Sequence, residues 1–252
     1  MSVIGIDGCK AGWFFVELRE ADHRFGLTQS LQGLLRERHP SLLLIDIPIG
    51  LRQDGELERL CDKEARRLLG KRGSSVFPAP CRAAAQLHHD YVLAKQRNRE
   101  LTGRGLTKQS HAICKKIFEV DELMTTDPAA RAVVREVHPE VLFWGLAGGK
   151  PMQHAKRTRD GFAERLALLN KHVPAEDLAR EARAAYRRSE LANDDILDAL
   201  AAAVVAAQGS RSLHTLPEQP EWDEKGLPME MVYCLRPSVR HTKTERMTVA
   251  FP

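Results

Sequence analysis

At 252 residues, 43% hydrophobic and 29% charged, the chain has the composition of a globular protein with one core and room for a sizeable insertion. No apolar run reaches the roughly 18 to 20 residues of a membrane span, and the start runs straight into Val3-Ile4-Gly5-Ile6, so neither a membrane anchor nor a signal peptide is expected. The net charge of +4 does not by itself require a nucleic-acid partner, and five scattered cysteines without a CxxC pair argue against zinc or disulfides and suit a reducing cytoplasm.

Val3-Ile4-Gly5-Ile6 reads as a buried strand ending at Asp7-Gly8, with Trp13 to Leu18 as its hairpin partner and Phe25 to Thr28 as a third strand. Ser30 caps a short amphipathic helix through Leu31, Leu34 and Leu35, which His39-Pro40 ends. Leu42-Leu43-Leu44-Ile45 is a continuous apolar run, the pattern of a parallel strand covered on both faces, and Asp46 ends it. From about 54 to 127 the pattern turns helical and polar. One helix runs through Leu57, Leu60, Ala65, Leu68 and Leu69, a second from Ala83 to Glu100, and a third carries Ile113, Ile117 and Val120. This stretch reads as an insertion into a single domain. A strand returns over Ala132 to Val137, followed by His138-Pro139-Glu140 and a short apolar helix that Pro139 starts. A helix through Phe162, Leu166 and Leu169 comes next, then a polar connection, a small-residue helix from Asn193 to Ala203, a Pro-rich segment, a late edge strand over Met229 to Cys234, and a basic tail over 237–252.

The helix that Asn193 would cap carries Asp194, Asp195 and Asp198 among Ala, Val, Leu and Ile. Asp195 and Asp198 share a face at three residues' spacing, Asp194 and Asp198 at four, so either pair has the spacing to hold a metal. First-turn acids also complement the helix dipole, which accounts for Asp194 and Asp195 but not for Asp198, a turn further in. Three strands end in or just before an acid: Asp7, Asp46 and Glu140. The carboxyl ends of parallel strands open onto one crevice, and up to five carboxylates meeting there would repel one another unless divalent cations sat among them. Oxygen-only ligation suits Mg²⁺ or Mn²⁺, and two such ions activate water and stabilise the leaving oxygen in phosphodiester hydrolysis.

The stretches Gly5 to Trp13, Ile45 to Leu51, Cys61 to Arg66, Glu136 to Glu140 and Asp194 to Ala199 resemble the domain-of-unknown-function 429 family, whose members are predicted to be RNase H-like. The likeness runs from about residue 3 to about residue 208. It implies an α/β fold, a five-stranded mixed sheet with helices on both faces, and a nuclease activity. The segment Asp195-x-x-Asp198-Ala199-Leu200 also resembles the final helix of the Holliday-junction resolvases of that superfamily. Residue by residue, the likeness implies metal ligation by Asp7, Asp46 and Asp195 or Asp198, while Glu140 has no settled counterpart and stands as a fifth ligand or general base.

The expected partner is nucleic acid, DNA or RNA, held by the phosphate backbone. Lys10 beside Asp7, Arg72 and Arg82 around the Ser74-Ser75 loop, Lys108 within the basic run from Lys95 to Lys116, and Lys156 in a second basic group are the candidates for that contact. Solvated surface is the plainer account of each run. His138 is a ligand, a proton carrier or a hydrogen-bonded strand-end histidine, and Trp13 and Trp144 read as core. Two other functions share the fold: a nucleotide-binding phosphotransferase or ATPase of the actin-like type, from Asp7-Gly8-x-x-x-Gly12 on the first hairpin, and a non-catalytic binding protein whose acids are structural.

Overall fold

A computed structural model describes residues 2–20, 22–56 and 58–235. Leu57 and the basic tail over 237–252 lie outside the described residues. In chain order the strands and helices are β1 (Ser2–Cys9), β2 (Gly12–Arg19), β3 (Asp22–Thr28), α1 (Leu31–Arg38) and β4 (Leu42–Ile45). The inserted segment then supplies α2 (Leu60–Leu69), a 3-10 turn (Gly70–Ser75), α3 (Arg82–Gln86), α4 (Tyr91–Thr102), α5 (Lys108–Ala112) and α6 (Cys114–Thr126). After it come α7 (Pro128–Val133), β5 (Val134–Glu136), α8 (Pro139–Leu146), α9 (Arg159–Leu169), α10 (Ala175–Ala185) and α11 (Asn193–Ala206). The hairpin β6 (His214–Trp222) and β7 (Pro228–Tyr233) closes the described chain.

The sheet has the order β3-β2-β1-β4-β5, antiparallel from β3 to β1 and parallel from β1 to β5. With helices on both faces, this is the α/β architecture of the RNase H-like fold that the sequence predicts. Alternation along β1 sends Ile4 and Ile6 to one face and Gly5 and Asp7 to the other. On the first face α1 and α6 bury Leu31, Leu34, Ile117 and Val120 against Ile4, Ile6, Leu43 and Ile45. On the second face α11 lies across β1, β2 and β4, with α8, α9 and α10 around it. Every residue of α11 from Ile196 to Ala206 is buried, and each large aliphatic side chain so buried contributes roughly 1.5–3 kcal/mol. No described helix is long and apolar enough to cross a membrane.

Several local expectations are corrected. The second inserted helix is two: Asp90 accepts hydrogen bonds from the Val92 and Leu93 amides at 2.8 and 3.0 Å, capping α4 and ending what precedes it. The returning strand keeps only Val134–Glu136, because Asp127 caps a helix with Pro128 in its first turn and that helix consumes Ala132 and Val133. The polar connection before α11 contains α10. The late strand pairs with β6 in its own two-stranded sheet, not with the main sheet. The N-cap of α11 is Ala192, and Asn193 is its first helical residue, its side chain accepting from Arg183 Nη1 at 3.0 Å. The expectation for Trp13 holds, since it is 1% exposed, and all five cysteines are buried.

Candidate active site

Asp7 sits on the last turnward stretch of β1 and Asp46 directly follows β4, so parallel pairing of the two strands sets them side by side, with Asp46 N donating to Ile6 O at 3.1 Å. The helix reaches them because β1 offers no side chain at Gly5. A Cβ there would stand 2.2 Å from Ala199 O and 2.1 Å from Ala203 N, so backbone meets backbone and only glycine fits. One turn towards the N-terminus of the same helix, Asp198 and Asp195 arrive at the end of β1 that carries Asp7. Asp7 and Asp198 are buried, while Asp46 and Asp195 are partly buried.

The carboxylates act on one another. Burial, then the charges of Asp46, Asp198 and Asp195, hold the Asp7 carboxyl well above its ordinary range, with Lys156 opposing. Burial likewise lifts Asp46 to about 8, Lys156 pulling against it and Asp198, Glu136 and Asp195 adding to it. Asp198 is raised to about 6 by burial despite the attraction of Lys156. Burial also raises Asp195, whose Oδ2 accepts from the Ala192 amide at 3.0 Å and so caps the helix. The positive charge nearest these acids is the Lys156 ammonium, 2.7 Å from Asp198 Oδ2 and 3.5 Å from Asp194 Oδ2. Asp198 Oδ1 is buried without a hydrogen-bond partner.

A cleft of about 470 Å³ opens over this end of the sheet, and Asp7, Asp46, Asp195, Lys156, Glu140 and Arg72 all line it. Its floor holds a second acidic group that the sequence reading did not select. Arg59 Nη2 bridges Asp62 Oδ1 at 2.6 Å and Glu136 Oε1 at 2.8 Å, and Arg59 Nη1 reaches Glu136 Oε2 at 2.8 Å. With Cys61, these two acids form the one group of three ligand-type atoms within 4.8 Å of one another among the described residues. The guanidinium fills it, so it is an ion-pair cluster and not a metal nest. Asp62 and Glu136 also outweigh the cost of burying Arg59 and hold its pKa well above the usual value. Across the cleft, Phe77 is 43% exposed, and Lys116 stacks 4.4 Å over Trp13 while donating to Gly12 O at 2.5 Å.

Other candidates move. Glu140 lines the cleft but is paired, its Oε1 lying 2.8 Å from Arg72 Nη2 and 2.5 Å from Arg165 Nη2. Burial alone would raise its pKa; the two arginines outweigh that and lower it, which unsuits Glu140 to act as a general base. It serves instead to fix Arg72 on the cleft wall. Arg82 is not a phosphate ligand: it is buried, paired with Asp121 at 2.9 Å and with Asp223. Lys10, in the hairpin turn, and Lys108, at the start of α5, are exposed and line no part of the cleft. Ser74 and Ser75 belong to the 3-10 turn, where Ser75 Oγ donates to Arg72 O at 2.8 Å, so they form no open phosphate loop. His138 also lines the cleft, and burial pushes its pKa down to about 4, leaving it neutral near pH 7.

The short turn of the first hairpin bears on the nucleotide-phosphotransfer alternative. Cys9 pairs with Gly12 across Lys10 and Ala11, and the Ala11 amide donates to Glu190 O at 3.1 Å, which leaves that amide unable to serve a phosphate.

Comparison with curated proteins gives no match to the chain. The match that is found spans residues 5–221, from the middle of β1 into β6, and so takes in Asp7, Asp46, Asp195 and Asp198: the chain belongs to the family described as protein of unknown function, DUF429.

Proposed function

We propose that the protein is a divalent-cation-dependent phosphodiesterase acting on nucleic acid. The observation that carries this reading is the charge imbalance at the sheet end: among the described residues the one cation hydrogen-bonded to any of Asp7, Asp46, Asp195 and Asp198 is the Lys156 ammonium, with Lys116, Arg157 and Arg165 adding weaker attraction. Buried carboxylates in that state either take up protons or bind a cation. The residues fit a hard cation, since the donors are all oxygens and Asp198 Oδ1 is a buried acceptor with nothing to accept from. Asp7 and Asp46, with Asp195 and Asp198 behind them, would hold Mg²⁺ or Mn²⁺. Such an ion supplies a nucleophile from water at neutral pH and offsets charge on the phosphoryl oxygens.

The chain's own residues supply the remainder. Arg72, fixed by Glu140, and Lys116, fixed over Trp13, line the cleft as cations for a phosphate backbone, and Phe77 presents an exposed ring of the kind on which bases stack. Binding through these cations would weaken steeply with salt.

The test incubates the purified protein with labelled duplex, branched and RNA:DNA substrates in Mn²⁺. Cleavage that EDTA stops and that Asp7→Asn removes is the expected result. Cleavage that survives Asp7→Asn, or none on any of the three substrates with no Mn²⁺ bound, would sink the reading.

A further inference from the structure

We propose that Lys156 is a built-in second cation: the chain takes one divalent ion, held by Asp7 and Asp46, and the Lys156 ammonium stands where a two-ion site has its other metal. This rests on the metal-dependent reading above and assigns the number of ions that reading leaves open.

The way Lys156 is mounted is the first argument. It sits between α8 and α9 on a segment without regular structure, where a surface lysine is ordinarily mobile, yet the backbone on both sides is fixed. The Gln153 and His154 amides donate to the Glu164 carboxylate at 2.9 and 3.0 Å, and His154 O accepts from the buried Arg165 at 3.1 Å. Ala155 O accepts from Thr158 Oγ1 at 2.8 Å and lies so close to Gly161 that a Cβ there would be 1.9 Å away. The side chain is only 34% exposed, and its partner Asp198 is 2% exposed. Holding a long, flexible side chain in place costs rotamer entropy, and the attraction of Asp198, Asp7 and Asp46 offsets that together with the cost of partial burial.

The second argument is which acids remain for a metal. Asp198 Oδ2 is taken by Lys156, and Asp195 Oδ2 by the helix cap. Both acids of α11 therefore have one oxygen engaged, as does Asp7, whose Oδ1 accepts from the Gly8 amide at 2.7 Å, but of the three only Asp198 has a cation as that partner. The strand-end pair, Asp7 and Asp46, stands side by side at the cleft. Two strand-end acids for one ion, with an ammonium anchored on the helix acid, is the division to which the Lys156–Asp198 pairing points. Lys156 lines the cleft, so the same ammonium faces the charge that builds on a phosphate during displacement.

The experiment counts ions: equilibrium dialysis of the full chain against Mn²⁺, with free Mn²⁺ read by electron paramagnetic resonance. One ion per chain is expected for the unaltered protein and for Lys156→Arg. Lys156→Met is expected to bind two ions, or one at least tenfold more tightly, and to cleave at least tenfold more slowly. Two ions on the unaltered protein overturn the proposal while leaving the nuclease reading intact, as does Lys156→Met binding one ion with unchanged affinity. No ion on the unaltered protein removes both. Should Lys156→Met fail to fold, the counts on the unaltered protein and on Lys156→Arg still decide.

Discussion

Two acidic clusters share the cleft, and they are neutralised in opposite ways. On the floor, Asp62 and Glu136 surround Arg59, and all four of their carboxylate oxygens accept hydrogen bonds, from the guanidinium and from the Ala79 and Ile49 amides. On the wall, Asp7, Asp46, Asp195 and Asp198 have one hydrogen-bonded cation among them, Lys156, and Asp198 Oδ1 has no partner. Burial alone does not separate the two groups. What separates them is whether the cation comes with the chain. A site that needs a cation from solution has to be left short of charge, and it gives up stability to remain so.

That contrast makes predictions of graded size. Asp7→Asn should lower cleavage by about a thousandfold or more, the several kcal/mol expected when a metal's hold on the phosphoryl group is lost, while urea unfolding in EDTA finds the variant as stable as the unaltered protein or more so. A large loss of stability would place Asp7 with the floor cluster. Arg59→Met should do the reverse, costing about 3–5 kcal/mol in the same unfolding experiment by leaving two buried carboxylates unpaired. If it costs under about 1 kcal/mol, the floor cluster is not a structural ion pair.

The third prediction is a pH dependence. Asp46 is near 8 in the folded chain and about 4 when unfolded, so the folded state holds the extra proton between those values. Stability in EDTA should therefore fall as pH rises from about 4 to 8. Glu136, which burial lifts to about 7 against the pull of Arg59, adds in the same sense. Mn²⁺ separates the two contributions, since it should offset the loss at Asp46 and leave that at Glu136. At a hundredfold excess over its dissociation constant the ion adds about 2.7 kcal/mol; a melting temperature at pH 8 indifferent to Mn²⁺ would count against the whole contrast. The smallest effects belong to Lys10→Ala and Lys108→Ala, each within about 0.5 kcal/mol in stability and with cleavage little changed in a direct rate comparison, because neither side chain reaches the cleft.

The wall cluster was legible in the sequence and the floor cluster was not. Acids at strand ends and an acid one turn inside an apolar helix are local patterns, and they picked out Asp7, Asp46, Asp195 and Asp198. Arg59 finds Glu136 77 residues away, and Arg82 finds Asp223 141 residues away; no spacing rule reaches so far, so Arg82 read as one more surface cation. Lys156 read the same way because its segment has no periodicity from which to infer a facing. The helix α10 was missed for a different reason. Its buried stripe is Ala175, Leu178, Ala179 and Ala182, mostly alanine, which gives little hydrophobic contrast against the surrounding Glu and Arg.

The contact at Gly5 ties chemistry to packing more tightly than the acids alone suggest. Helix and strand touch there through main-chain atoms, so the spacing between the carboxylates is gauged by the absence of a single methyl group, in a place where no substrate or ion would ever arrive. The protein's appetite for a cation is thus written into an apolar seam, and the docking that makes the fold secure is the same motion that presses like charges together.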